Sequence, residues 1–295
     1  MSINTFGFPT VAVLGMGTMG AGIAHVVAAS GRQVIVLESD GVRSSAGQAA
    51  MTAFLDSGVT RGKITAEAKA QLLDRVRVST ATADLADVDL VIESVTENPD
   101  IKKAVLVQVA EVVSAQTPLC TNTSALSVTD LAAAVPHPER VAGLHFFNPA
   151  PLMPIIEVIS ALQTAESLSD QLMAFVDTLD GKTAIAVKDR PGFLINALLM
   201  PYLNDVIAEY DDELATAEDI DLALKLGLGY KTGPLEMLDM IGLDVHLHGT
   251  GAAYAATRDD RYSPPPLLQR MVAAGRLGTK NGHGFRTHDN PQKDA

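Results

Sequence analysis

With 295 residues, 47% of them apolar and 19% charged, the chain is long enough for two packed domains and too apolar to be disordered. A formal charge of −13, from 22 basic and 35 acidic residues, excludes a general affinity for nucleic acid. No apolar run reaches the ~18–20 residues of a membrane span, the single Cys120 permits no internal disulfide, and no basic, apolar leader opens the chain, so a cytoplasmic setting is expected.

Thr10–Leu14 is a short apolar run with strand character. The turn Gly15-Met16-Gly17-Thr18-Met19-Gly20 follows, then a helical pattern to Ala29 and a second strand, Gln33–Leu37, closed by Glu38. This is the dinucleotide fingerprint in its full context. Gly15 permits the tight turn, Gly17 lets backbone approach a pyrophosphate, and Gly20 lets helix pack on strand. Thr18 and Met19 stand at a helix N-terminus, whose free N–H groups and dipole favour phosphate. Glu38 is placed to accept hydrogen bonds from the adenosine ribose, and its charge favours NAD over NADP.

Val42–Leu73 reads as helix, broken near Ser57-Gly58 and restarted at a Thr65 cap. Strand runs follow at Val76–Val78, at Leu90–Ile92 before Glu93, and at Leu119–Thr121, with helix Ile101–Val113 between the last two. The loops Ser94–Asp100 and Asn122-Thr123-Ser124 lie at strand carboxyl ends, where open α/β sheets bind ligands. Ser127-Val128-Thr129-Asp130 resembles a capping box, which commits Ser127 to a helix. Ser124, one turn earlier, either steadies the turn or faces the crevice.

Val141–Phe147 and Ile155–Ile159 are apolar strands around a bend stiffened by Pro149, Pro151 and Pro154. Each carries one lone ionisable residue, His145 and Glu157. An unpaired charge in a buried strand is costly, so adjacent strands would bring the two together. The pair is either a structural ion pair or a proton-transfer dyad, since imidazole titrates near neutrality. Helix Ser169–Leu179 and strand Thr183–Val187 complete an alternation that predicts a Rossmann-type, doubly wound, mostly parallel sheet.

After Lys188 no strand signal remains. Helices are expected at Phe193–Tyr210, Ala217–Leu226, Leu235–Ile241, Asp244–Ala256 and Pro266–Ala274, followed by a polar, partly mobile tail from Gly275. The expected organisation is an α/β domain over 1–188 and an all-helical domain over 189–295. Asn196 is the one amide in the run PGFLINALL, and it is either satisfied by nearby backbone or turned to a site. His25, His246, His248, His283 and His288 show no metal-ligand spacing with one another or with Cys120, so no metal is expected.

Taken together, GMGTMGAGIA (15–24), NTSALSVTDLA (122–132), RVAGLHFFNPAPLMPIIEVI (140–159), DRPGFLINALLMPYLNDVIAEY (189–210) and GTKNGHGF (278–285) resemble the L-3-hydroxyacyl-CoA dehydrogenase family, of the 3-hydroxybutyryl-CoA type, over nearly the whole chain. The resemblance implies NAD as cofactor, a CoA thioester substrate and a homodimer formed through the helical domain. It implies His145 as catalytic base with Glu157 as partner, and Ser124 and Asn196 as substrate-binding groups. Glu38 becomes the ribose ligand, and Glu97 and Lys102 become contacts at the nicotinamide half. Three positions depart from the family pattern: Arg43 is the only cation where lysines near CoA are common, Ala197 replaces a common arginine, and Gly284-Phe285 is followed by Arg286 rather than tyrosine. Two further readings stand beside this one. The first is the same chemistry on a hydroxy acid without CoA, such as a sugar acid, carnitine or a pyridine carboxylate. The second is a non-catalytic NAD-binding protein.

Overall fold

A computed structural model describes residues 7–288. The chain divides into two compact units between Arg190 and Pro191. In the first, strands β1 (Thr10–Leu14), β2 (Gln33–Leu37), β3 (Val76–Ser79), β4 (Leu90–Glu93), β5 (Leu119–Thr121), β6 (Val141–Phe146), β7 (Ile155–Ser160) and β8 (Thr183–Lys188) form one sheet in the order β3-β2-β1-β4-β5-β6-β7-β8. The chain winds outward from β1 to β3, then returns to place β4 beside β1. The resulting switch point puts the carboxyl ends of β1 and β4 at one crevice.

All pairings are parallel except β6 with β7. The eight-residue bend 147–154 is long enough only for a reversal, whereas a parallel return needs a crossover of a dozen residues or so. Central strands are buried on both faces, as in β4 and β6, which accounts for their unbroken apolar runs. The helices α1 (Thr18–Ala29), α2 (Gly41–Thr60), α3 (Ala66–Asp74), α4 (Pro99–Ala110), α5 (Val128–Ala132) and α6 (Glu166–Asp177) connect the strands. Caps set several starts: Asp40 accepts from the Arg43 N–H, Thr65 from Ala68, Asn98 from Asp100 and Ile101, and Ser127 from Asp130.

The second unit holds α7 (Ile195–Asp211), α8 (Ala217–Leu228), α9 (Pro234–Ile241), α10 (Leu243–Thr257) and α11 (Pro266–Ala273). Its core includes Leu203, Ile207, Leu235, Leu238, Leu243 and Leu268. α7 begins two residues later than its apolar pattern suggests, because Gly192 and Phe193 both take positive φ (77° and 50°) in a tight turn after Pro191.

The segment from Gly275 to His288 is not the loose tail expected. The fully buried Asp239 accepts hydrogen bonds from the N–H groups of Phe285 and Arg286 and pairs with the His288 ring, while the Arg286 guanidinium reaches Asp221 at 2.5 Å. Phe285 is buried in the helical core. The expected mobility of residues 289–295 lies outside the described residues. Among the described residues no helix is long and apolar enough to cross a membrane.

Candidate active site

The glycine turn builds the first half of the site. Gly15 adopts φ +96° and donates its N–H to the Leu37 carbonyl at 2.8 Å, which locks β1 to β2. A Cβ on Gly20 would lie 2.0 Å from the Gly15 carbonyl oxygen, so only glycine lets α1 sit this close. A Cβ on Gly17 would meet no protein atom within 4 Å. Gly17 caps α1 without a side-chain hydrogen bond, leaving the first N–H groups of α1, at Thr18 and Met19, to a ligand.

Gly15, Met16, Gly17 and Thr18 line a cavity of about 1020 Å³. Its polar lining includes Glu38, Ser39, Arg43, Thr80, Thr82 and Gln108, and its mainly apolar lining includes Ala50, Met51, Phe54 and Pro151. Glu38 Oε2 accepts from the Met16 N–H (2.9 Å), and Oε1 from the N–H and hydroxyl of Ser39 (2.6 and 2.8 Å). Burial alone would raise the Glu38 pKa, but these donors and the nearby Arg43 hold it below the usual carboxylate value. The cradle fits a dinucleotide: an open glycine turn, helix N–H groups at its N-terminus, and an ionised carboxylate at the end of β2.

A second cluster joins the ends of β4, β5 and α4. Lys102, 1% exposed, reaches Glu93 Oε1 at 2.7 Å and Glu97 Oε2 at 3.2 Å. Glu93 is fully buried and also accepts from the Thr121 hydroxyl (2.6 Å) and the Val95 N–H (2.7 Å). Glu97 Oε1 gathers the Thr123 hydroxyl (2.5 Å) and the N–H groups of Ser124 (2.9 Å) and Ala125 (3.2 Å). Burial pushes the Glu97 carboxyl up, yet Lys102, Thr123 and Ser124 outweigh it and keep it ionised. Ser124 is thereby held through its backbone, and its side chain is exposed. Ser127 caps α5 and donates to Asp189, as its capping-box position implies.

His145 and Glu157 are register partners across the antiparallel β6–β7 pair. His145 Nδ1 and Glu157 Oε2 are 2.7 Å apart, with the residues 5% and 1% exposed. Phe147 packs against the imidazole, ring centroids 4.5 Å apart. Asn122 Oδ1 accepts from the Phe146 N–H at 2.8 Å, which ties the end of β6, and with it His145, to the loop carrying Ser124. A carboxylate on Nδ1 fixes the orientation of the ring, an arrangement suited to a group that exchanges protons.

The structure therefore brings together His145 with Glu157, Glu97 and Lys102 with Ser124, and Glu38 with Gly15, Gly17 and Gly20. Asn196 stands in the first turn of α7 in the helical unit, where it is half-buried.

Three contributors carried no distinctive sequence signal. Glu93 was visible only as the residue ending a strand. Asn122 looked like loop. Lys182, 9% exposed, donates to the carbonyls of Ala150 (2.7 Å), Pro151 (3.2 Å) and Met153 (2.7 Å), and so pins the proline-rich bend. His25 lines the cavity against Phe54, and burial, aided by the charge of Lys182, lowers its pKa to about 4.

Comparisons with known proteins bear on this arrangement. The family model described as 3-hydroxyacyl-CoA dehydrogenase, NAD binding domain, matches residues 10–190, and that of the family's C-terminal domain matches 192–288. The chain is 44% identical over 277 residues to 3-hydroxyadipyl-CoA dehydrogenase of Escherichia coli, covering 93% of this chain but only 58% of that protein. It is 39% identical to 3-hydroxybutyryl-CoA dehydrogenase of Mycobacterium tuberculosis, covering 94% and 98% of the two chains. Among solved structures, (S)-3-hydroxybutyryl-CoA dehydrogenase PaaH1 from Ralstonia eutropha superposes with a TM-score of 0.93 at 38% identity, covering 96% of this chain and all of that one. An NAD+-dependent pyridine-carboxylic-acid 5-dehydrogenase matches with a TM-score of 0.76 at 28% identity, over 96% and 92% of the two chains. Matched by both family models over nearly its whole length, the chain belongs to the 3-hydroxyacyl-CoA dehydrogenase family of NAD-dependent oxidoreductases.

Proposed function

We propose that the protein oxidises the 3-hydroxyl of a short L-3-hydroxyacyl-CoA to the ketone, and runs the reverse reduction, with His145 as general base and acid. The observation that carries this reading is the 2.7 Å His145–Glu157 pair, buried in a sheet that also presents the nucleotide cradle. NAD supplies the hydride acceptor. Nδ1 of His145 is committed to Glu157, so proton exchange with the substrate hydroxyl falls to Nε2. Glu157 stabilises the imidazolium that results, as the acid of a catalytic triad does. Ser124 and Asn196 donate to substrate oxygens as charge builds there in the reduction direction; losing one such donor costs roughly 10²–10³ in rate. Glu38 holds the adenosine ribose, and Glu97 with Lys102 borders the nicotinamide half.

The apolar wall of Met51, Phe54 and Pro151 suits the long flexible arm of a CoA thioester. The names of the E. coli and M. tuberculosis relatives, both dehydrogenases of a 3-hydroxyacyl-CoA, point the same way. A homodimer through the helical unit belongs to this reading, because Leu222, Leu226, Met240 and Val245 stand exposed there. A cytoplasmic setting goes with it. The second reading, a hydroxy acid without CoA, draws its support from the pyridine-carboxylic-acid relative and from Arg43 as the only cation lining the cavity.

Following NADH absorbance with acetoacetyl-CoA, and in parallel with free acetoacetate and a panel of hydroxy acids, separates the two. Turnover of the thioester is expected, and failure on every CoA ester overturns the first reading. His145→Gln is expected to abolish turnover while NAD still binds; a near-normal rate would show the base to be misassigned.

A further inference from the structure

Glu93 ends β4 and is fully buried, and its two carboxylate oxygens start two arms that meet again on one loop. Through Oε2 it accepts from the Thr121 hydroxyl at 2.6 Å, and the Thr121 oxygen in turn accepts from the Thr123 N–H at 3.2 Å. Through Oε1 it holds the Lys102 ammonium at 2.7 Å, and Lys102 reaches Glu97 at 3.2 Å. Glu97 then gathers the Thr123 hydroxyl and the N–H groups of Ser124 and Ala125. A further tie runs through backbone, where the Glu93 carbonyl accepts from the Asn122 N–H at 2.8 Å. The loop from Asn122 to Leu126 has neither helix nor ladder, so its N–H groups need acceptors from elsewhere. From Asn122 to Ala125, each finds one in Glu93 or in a group that Glu93 holds.

We propose that Glu93 is a positioning residue for the oxidoreductase reaction: without touching substrate, it fixes the direction of the Ser124 hydroxyl through both arms at once. Its role therefore depends on Ser124 donating to a substrate oxygen. A buried ion pair adds little net stability over apolar side chains of the same volume, so the Glu93–Lys102 pair is better explained by the direction it imposes than by the energy it contributes. Glutamine at this position keeps the volume and breaks both arms. Its NH₂ cannot face the Lys102 ammonium, so it must turn toward Thr121, whose proton then loses its acceptor. Lys102 loses its inner counter-ion and is left with Glu97 alone. The exposed Ser124 side chain, carried on a backbone held only through these groups, loses its fixed direction.

The test is a double-mutant cycle on kcat/KM for acetoacetyl-CoA at saturating NADH, with the parent, Glu93→Gln, Ser124→Ala and the combined variant of the full-length protein. Ser124→Ala alone is expected to cost roughly 10²–10³. Glu93→Gln is expected to lower kcat/KM roughly 10- to 100-fold when Ser124 is present, and less than about threefold when it is already alanine, because the group it positions is gone. A merely structural role would not produce this coupling: it would lower the thermal midpoint and reduce the rate by the same factor in both backgrounds. Thr121→Val breaks only the first arm, should show the same coupling at smaller size, and serves if Glu93→Gln does not fold. Equal factors in the two backgrounds, or no loss of rate from either variant, overturn the proposal. A Ser124→Ala rate within about twofold of the parent overturns instead the premise that Ser124 donates to substrate.

Discussion

Replacing Glu157 by glutamine keeps the side chain's shape and removes its charge. In the parent, Glu157 Oε2 lies 2.7 Å from His145 Nδ1, and neither residue is more than 5% exposed. On the proposed mechanism, the imidazolium formed during oxidation would have this buried carboxylate as a close counter-ion. A charge-assisted hydrogen bond of this kind contributes about 1.5–3 kcal/mol. Lost from the protonated form alone, that amounts to roughly 10- to 150-fold in rate. The amide can also offer its NH₂ to Nδ1, which would favour the tautomer with its proton on Nε2 and block proton uptake there. The corresponding acid-to-amide change in a serine-protease triad costs about 10⁴ in kcat. Glu157→Gln is therefore expected to lower kcat at least about tenfold, and as far as roughly 10⁴-fold if the tautomer flips, while the KM for NAD stays near the parent value. The cradle for NAD is built on β1 and β2, away from this pair. The assay is steady-state NADH oxidation with acetoacetyl-CoA, with NAD affinity measured separately. A kcat within about twofold of the parent would refute the assignment and leave the pair a structural one.

Gly17→Ala and Gly20→Ala should behave oppositely. A methyl at Gly17 meets no protein atom within 4 Å, so thermal stability should change little while NAD affinity falls. At Gly20 it would sit 2.0 Å from backbone oxygen, so the variant should be destabilised by several kcal/mol or fail to fold, as thermal melting will report. Lys182→Met leaves the carbonyls of Ala150, Pro151 and Met153 without their donor and should cost about 1–3 kcal/mol or more in urea unfolding; an unchanged midpoint would show the bend holds itself. His246 is buried against Asn204, and burial lowers its pKa from 6.5 to about 4. The folded state therefore keeps it neutral while the unfolded chain takes up a proton. This contribution is complete above pH 6.5, fades as pH falls, and amounts to a loss of about 3 kcal/mol near pH 4. Urea midpoints of the parent and of His246→Gln across that window should diverge in slope, and parallel slopes would refute the assignment.

Much of the first unit was legible because its signals are local. The glycine turn, the Thr65 cap and the Ser127 capping box each place their residue within a few positions of its partner. The His145–Glu157 meeting was legible for a different reason: a lone ionisable group in each of two buried strands leaves few other ways to satisfy both. What escaped reading depends on partners that have no side-chain signature. Lys182 serves three backbone carbonyls some 30 residues away in sequence. Lys102 was named through the resemblance alone, without its partner Glu93; the packing of α4 brings Lys102, and not Lys103, to that buried carboxylate. The tail read as loose because glycine and polar residues dominate it, whereas Asp239 supplies the acceptors that fix its backbone.

The single antiparallel step between β6 and β7 has a consequence for how such a scaffold can change over time. Side chains alternate along a strand, so a slip of one residue would turn Glu157 to the opposite face and set a neutral neighbour against His145. The slip is resisted along the sheet, by six register pairs with β8 and by Gly143, where a Cβ would come within 2.8 Å of Ile159. The His145–Glu157 pair thus inherits its precision from ladder register, while the cavity is walled largely by loops and helices. Mutation can remodel those walls without disturbing the pair, an inherited division between a fixed pair and an adaptable pocket.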